Sequence, residues 1–196
     1  FFFLLFTCGI NAQQLESLKI LKIKHDSIET QLKLKYQEEI KGKSESEISE
    51  IYYQNLLSRS KNNRERFNQY FSAVQTYLET QKLIDPSPEA AQQEIPDKTA
   101  NYSQGFPALY KEVHDFIKNR YQDRLDEYFT KSAKIHFIVQ NDHSLYIEKV
   151  EGTEKEFNDL ALLAFLMTTG KWESAFQRGM NVKSKFVLPV KFVVEE

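Results

Sequence analysis

The first part of the chain repeats apolar residues with the period of an amphipathic helix. Across residues 14–41 they recur at spacings of three and four, apart from one longer gap that His25 occupies, a pattern typical of a helix that buries one face. Gly42-Lys43-Ser44 interrupts this run, and a second helical run follows, for which Ser44 or Ser46 can serve as the N-cap. Its apolar stripe comprises Ile48, Ile51, Tyr52, Leu56, Phe67, Tyr70, Phe71, Val74, Tyr77 and Leu78. We predict two helices that pair as an antiparallel hairpin or, between chains, as a coiled coil.

Two polar stretches bear on the organisation of the chain. Residues 58–66 contain no apolar side chain, so this stretch is either a solvated turn in the middle of one helix or the joint between two. Residues 85–97 contain three of the five prolines, and proline cannot continue a helix. We therefore predict a helical region over residues 13–84, a linker over 85–104 and a second domain over 105–196.

The second domain mixes helical and strand patterns. A helical period begins after Pro107, which suits a first-turn position. Residues 135–139 and 145–150 are rich in β-formers and flank a polar turn, so they predict a hairpin. Residues 154–171 predict a second helix, closed by Gly170 as its C-cap. With a final strand over residues 185–194, the domain is α+β with an antiparallel sheet.

The final strand has two distinct faces and an unusual proline. Period-2 alternation puts Phe186, Leu188, Val190, Phe192 and Val194 on one face and Lys185, Val187, Pro189, Lys191 and Val193 on the other. Because Pro189 has no backbone donor, the strand is predicted to lie at an edge of the sheet or to be irregular. An exposed edge is a place where a partner strand can add.

Composition and charge exclude several classes of function. The net charge of -2 gives no electrostatic reason to expect nucleic acid or anionic lipid as a partner. The single cysteine, Cys8, allows no intramolecular disulfide and no cysteine-based catalytic pair. The four histidines, His25, His114, His136 and His143, have no spacing typical of a metal site. We predict no enzyme activity, no metal and no cofactor.

The opening of the chain indicates export. Residues 1–12 begin without Met, and they resemble the later part of a signal peptide that is cleaved after Ala12. A lipoprotein anchored through Cys8 and an uncleaved membrane anchor are the alternatives, and in either case the chain would associate with the membrane. All three readings place the mature chain outside the cytoplasm, and the first predicts the periplasm.

Specific motifs in the last ninety or so residues resemble those of the TonB carboxy-terminal domain family. They are Phe137-x-Val139, Asn141-Asp142, Val150-x-Gly152, Asp159-x-x-Leu162-x-Ala164, Lys171-Trp172-x-x-Ala175, Gly179-x-x-Val182 and Phe186-x-Leu188-Pro189-Val190-x-Phe192. The resemblance covers about residues 106–196, and the segment from Trp172 to Phe192 is its most specific part. The chain departs from the family at Tyr121-Gln122, where Tyr-Pro is usual, and at Ser132-Ala133, where a glycine is usual.

The resemblance implies a periplasmic module that docks a segment of an outer-membrane receptor, or of another envelope protein, by strand addition. It also implies a link to TonB-dependent transport. The pairing edge would be Lys185, Phe186, Val187, Leu188, Pro189, Val190, Lys191, Phe192 and Val193, while Trp172, Gly179 and Gly152 would be structural. Lys185 and Lys191 would attract an acidic peptide or only protect an exposed edge from aggregation. The alternative function is a self-associating scaffold protein of the cell envelope, for example a homodimer.

Overall fold

The computed structural model describes residues 4–82, 96–121 and 129–194, with only the backbone described for residues 4–15, 129 and 194. The chain divides into two compact units. One is the helical unit, Glu16–Gln75, and the other is the sheet unit, which spans Thr76–Glu196 together with the first fifteen residues. Most of the predicted linker, residues 85–95, and the first three residues of the predicted signal peptide lie outside the described residues.

The helical unit is formed by the greater part of two long helices, α1 (Leu4–Glu39) and α2 (Glu45–Gln81), whose outer ends belong to the sheet unit. Gly42 between them has φ of 70°, a conformation that glycine adopts without strain. Ser44 precedes α2, and its N–H and Oγ both donate to the Glu47 carboxylate, at 3.0 and 2.8 Å. This contact fixes the start of α2, and the Ser44 carbonyl accepts the Ile48 N–H, so Ser44, rather than Ser46, occupies the N-cap position.

Polar side chains connect the two helices at residues 58–66, the stretch for which the sequence allowed either a solvated turn within one helix or a joint between two. Asn62 Oδ1 lies 2.8 Å from His25 Nδ1, and Arg59 Nε donates to Glu29 at 2.7 Å. Arg66 donates to Asp26 at 2.8 Å. Partial burial would raise the pKa of Asp26, but hydrogen bonds and charges from Lys22 and Arg66 hold it below its ordinary value.

Because the polar residues of α2 meet polar partners on α1, the helix continues through this stretch without an apolar stripe. His25 is buried, and its Nε2 lies 3.2 Å from Gln69 Oε1. Two residues of the predicted apolar stripe, Tyr52 and Leu56, are instead exposed, while Tyr70, Val74 and Tyr77 are buried. The stripe prediction is therefore correct at the end of α2 and wrong at its middle.

The sheet unit is α+β, as the sequence predicts. Its elements in chain order are β1 (Asn101–Tyr102), α3 (Phe106–Arg120), β2 (Phe129–Val139), β3 (Leu145–Gly152), α4 (Lys155–Leu166), β4 (Trp172–Glu173), β5 (Ala175–Gln177), β6 (Met180–Val182) and β7 (Ser184–Val194). The main sheet has the strand order β3-β2-β7, and β1-β4 and β5-β6 form two small pairs. Every pairing is antiparallel.

The core of the sheet unit lies between the main sheet and the helices α3 and α4, which pack on the sheet and on each other. Alternate residues of the strands point into it, among them Ile135, Phe137 and Leu188, and all three are buried. Helix α3 contributes Leu109, Val113 and Ile117, and every residue of α4 from Leu160 to Leu166 is buried as well. This burial supplies the main favourable free energy of the unit.

Helix α4 ends earlier than the sequence predicts, and Gly170 is not its C-cap. The helix closes at Leu166, the N–H groups of Met167 and Thr168 still bond to carbonyls of the helix, and the next two N–H groups are taken by tertiary acceptors. The Thr169 N–H donates to Glu112 at 2.7 Å and the Gly170 N–H to Tyr102 Oη at 2.5 Å. A Cβ on Gly170 would clash with the Tyr102 ring. The lack of space for a side chain therefore explains why residue 170 is glycine, and a role as helix C-cap does not.

The four short strands, β1, β4, β5 and β6, were not predicted from the sequence. Strands β5 and β6 form a hairpin in which Arg178 and Gly179 have φ of 49° and 83°. Positive φ at both central residues is typical of a type I′ turn. Strand β1, which lies in the predicted linker, pairs with β4 through Tyr102 and Trp172, so the ordered structure begins before residue 105.

Candidate partner-binding edge

Strand β7 lies at one edge of the main sheet. It pairs with β2 over eleven residues without a register shift, from Phe129 opposite Val194 to Val139 opposite Ser184. Among the residues that the structure describes, no strand pairs with its other side. The edge position agrees with the prediction made from Pro189, which lies opposite Lys134.

The opposite edge of the sheet, on β3, is covered by side chains from the end of α2. Tyr77 Oη donates to the Leu145 carbonyl at 2.9 Å, and Gln81 Nε2 donates to the same oxygen at 3.2 Å. Gln81 Oε1 accepts the Ile147 N–H at 2.9 Å. Burial raises the pKa of Tyr77 to about 12, so its hydroxyl remains a donor at every physiological pH.

These contacts also show which backbone groups of β7 face outward. The Leu145 carbonyl and the Ile147 N–H bond to Gln81, so the backbone groups of these two residues point away from β2. In an antiparallel pair, residues directly opposite each other either both point inward or both point outward, so their partners Val139 and Phe137 point away from β3 and toward β7. The register of β2 and β7 then places the even-numbered residues of β7 in hydrogen-bonded pairs with β2. The backbone groups that point to the free edge therefore belong to Lys185, Val187, Pro189, Lys191 and Val193.

Pro189 divides this free edge into two halves. Its nitrogen points outward, where the missing N–H leaves the pairing with β2 intact. The outward N–H groups thus come in two pairs, at residues 185 and 187 and at residues 191 and 193. An added strand could accept hydrogen bonds from both pairs of N–H groups. Opposite Pro189 it would receive none, because proline has no N–H.

The side chains of β7 separate as the alternation predicts. Leu188, Val190 and Phe192 are buried on the helix side, and Phe186 is half-buried there. On the other face Val187 is exposed, and so are Lys185, Pro189 and Lys191. A strand that pairs with β7 would therefore extend an apolar face on one side and a solvated face on the other.

Two lysines near the free edge have no ion-pair partner among the residues that the structure describes. Lys191 lies opposite Ser132, diagonally across from Lys134, and neither lysine forms an ion pair with any described residue. Lys185, in contrast, pairs with Glu148 at 2.8 Å. The solvated face beside Lys191 therefore carries two lysines, and the acid in register with one of them, Glu151 opposite Lys134, already contacts His136 and Lys149.

The residues expected to be structural do have structural environments. Trp172 is buried, and its ring lies within 5.1 to 6.2 Å of the rings of Tyr102, Phe106, Phe137, Phe165 and Phe186. Its Nε1 has no hydrogen-bond partner among the described residues. A Cβ on Gly152 would clash with Asn158 Oδ1 and come within 2.6 Å of the Ser132 carbonyl, while Gly179 forms the turn between β5 and β6.

The histidines of the sheet unit do not come together. His136 contacts Glu151 at 3.0 Å, His114 packs against the ring of Phe192, and His143 Nδ1 accepts the Ser174 N–H at 2.9 Å. Within the described ranges, no three His, Cys, Asp or Glu residues lie close enough together to hold a metal ion.

The comparisons with known proteins add no family. No protein-family model, no curated protein and no solved structure matches the chain. Within residues 4–82, 96–121 and 129–194, no helix combines the length and the apolar character needed to cross a bilayer.

The sequence did not indicate Tyr77 and Gln81 as determinants of the site. Tyr77 belonged to the apolar stripe, and Gln81 follows that stripe as one of several polar residues. Their importance depends on the tertiary position of one strand edge, for which a single sequence carries no local pattern.

Proposed function

We propose that the chain is an exported, TonB-C-like protein-binding module that captures an extended segment of an outer-membrane receptor or another envelope protein. The segment adds as a strand to the free edge of β7. The observation that carries the proposal is the asymmetry of the sheet, because the β3 edge is occupied by Tyr77 and Gln81 while the β7 edge is open among the described residues. The periplasmic location rests on the apolar opening of the chain, and the receptor rests on the motif resemblance.

Strand addition uses the groups that the edge provides. Main-chain hydrogen bonds to residues 185, 187, 191 and 193 supply affinity, and side chains that alternate across the new strand select its sequence. Lys134 and Lys191 favour an acidic residue on the solvated face of the incoming segment. Phe186 and Phe192 favour apolar residues on the helix side, where a new strand continues the core.

The test is a substitution that removes one outward donor and leaves the pairing with β2 unchanged. Peptides of about nine residues, long enough to pair with residues 185–193, are selected from a displayed random library against the chain. The affinity of the selected peptide is then measured for the wild type, Val187→Pro and the matched control Val187→Thr. We expect Val187→Pro to weaken binding about tenfold or more, since it removes a hydrogen bond and places a ring at the edge.

The control Val187→Thr keeps the outward N–H and is expected to bind within about twofold of the wild type, a difference of about 0.4 kcal/mol. Trp172 emission checks that each variant is folded. Peptides that bind equally well to the folded Val187→Pro variant would show that they do not use this edge, and the proposal would fail.

A further inference from the structure

The middle of α2 carries a cluster of large apolar side chains that the helical unit leaves about half exposed, although the ring of one of them, Tyr52, lies 6.2 Å from the ring of Tyr36 on α1. Tyr52, Tyr53, Leu56 and Leu57, here called the α2 patch, are between 46% and 55% exposed. Tyr53 and Asn62 are nine residues apart and therefore lie on opposite sides of the helix. Since Asn62 faces His25 on α1, the patch includes the side of α2 that points away from α1.

The α2 patch is large enough to matter energetically. Half of the surface of four such side chains amounts to roughly 400 Å² of apolar area, within the range at which exposed patches are often functional. Two copies of the patch would bury roughly 800 Å² together, below the total of about 1,200 Å² that a stable interface needs. Neighbouring charged side chains must therefore contribute the remainder.

The charges beside the patch are arranged with opposite signs at its two ends. Glu45, Glu47 and Glu50 precede it, and three bases, Arg59, Lys61 and Arg64, follow it together with one acid, Glu65. Arg59 already pairs with Glu29, whereas Lys61 and Arg64 form no ion pair with any described residue. A helix segment with acids before its apolar centre and bases after it is complementary to itself in the antiparallel orientation.

We propose that the α2 patch binds the α2 patch of a second copy of this chain across a two-fold axis. The axis passes beside residue 55, so Tyr53 of one copy lies level with Leu57 of the other, and Glu50 lies within one residue of the level of Lys61. Glu50 and Lys61 are eleven residues apart, about three helical turns, and therefore lie on one side of the helix. The symmetry brings Glu50 of each copy near Lys61 of the other, which gives two equivalent ion pairs around an apolar centre.

The test is the oligomeric state of the full chain, measured by sedimentation equilibrium over a range of concentrations. Glu50→Lys or Lys61→Glu alone turns both ion pairs into like-charge contacts, and each is expected to weaken the dimer about tenfold. The double variant restores opposite charges and is expected to recover most of the affinity. An equimolar mixture of the two single variants is expected to form mixed dimers, because the introduced lysine of one variant then faces the introduced glutamate of the other.

If dimer affinity recovers in the double variant and in the mixture, the loss in the single variants is due to charge repulsion at this interface and not to unfolding. Far-UV circular dichroism checks that the helices of each variant are intact. Lys191→Glu, on the β7 edge, is the matched control and is expected to leave the dimer unchanged. A monomer at every concentration would overturn the proposal. So would a dimer that ignores the charges of α2 or responds only to Lys191→Glu.

Discussion

Gln81 is the residue through which the covered edge of the sheet can be tested most sharply. Its side-chain amide donates to the Leu145 carbonyl and accepts the Ile147 N–H, and the residue is only 2% exposed. In Gln81→Leu both hydrogen bonds are lost, at about 1 kcal/mol each, and the Ile147 N–H stays buried without a partner. We expect the free energy of unfolding to fall by roughly 2 to 4 kcal/mol.

Tyr77 allows a double-mutant cycle with Gln81, because both side chains donate to the same oxygen of Leu145. Tyr77→Phe alone leaves that oxygen with one donor and is expected to cost about 1 kcal/mol. When both are replaced the oxygen has none, so the double variant should lose about 1 kcal/mol more than the sum of the single variants.

Urea unfolding followed by Trp172 emission measures all four corners of the cycle, because the only tryptophan of the chain is buried in the sheet unit. Glu79→Gln, at an exposed position of the same helix, is the control and should change stability by less than about 0.5 kcal/mol. A loss below about 0.5 kcal/mol for Gln81→Leu, or strict additivity, would refute the assignment of these side chains to the β3 edge.

Two further predictions concern the start of α2 and the end of β3. Gly152→Ala should lower stability by about 1 to 3 kcal/mol in urea unfolding, because Asn158 can move aside but the Ser132 carbonyl cannot; an unchanged midpoint would contradict this. The backbone N–H and hydroxyl of Ser44 lower the pKa of Glu47 from 4.5 to about 2. The depressed pKa means that this carboxylate stabilises the fold above about pH 4.5 and loses that effect as the pH falls toward 2. The difference in thermal midpoint between the wild type and Glu47→Gln should therefore shrink over this range, and a constant difference would exclude the contact.

Much of the fold could be predicted because its local patterns agree with its tertiary structure. The alternation around Leu188 is buried and exposed in the predicted order, and Pro107 lies in the first turn of α3 as its fixed φ favours. The edge position of the last strand followed from one missing N–H, at Pro189. These features needed no knowledge of distant contacts.

The remaining features depend on such contacts and left no local pattern. Helix α4 ends at Leu166, and Glu112 and Tyr102 accept N–H groups just beyond it, although periodicity and Gly170 favour a longer helix. The middle of α2 stays helical because His25 and Glu29 offer it polar partners. A partner that lies far away in the chain cannot be recognised from the pattern of either segment alone.

The same distinction applies to the candidate site. The outward face of β7 could be listed from the sequence, but the direction of its backbone groups could not. That direction was inferred from the contacts of Gln81 with β3 at the opposite edge, together with the register of β3 with β2 and of β2 with β7. The candidate edge is therefore defined by the sheet as a whole rather than by its own motif.

Residue-resolved amide hydrogen exchange, with and without the selected peptide, tests the central claim most directly. Strand addition should slow exchange at residues 185, 187, 191 and 193, whose N–H groups point outward, and change the inward amides of residues 186, 188, 190 and 192 much less. This alternating protection, interrupted at Pro189, is the predicted result. Protection confined to another part of the chain, or equal protection of neighbouring residues along β7, would contradict binding by strand addition.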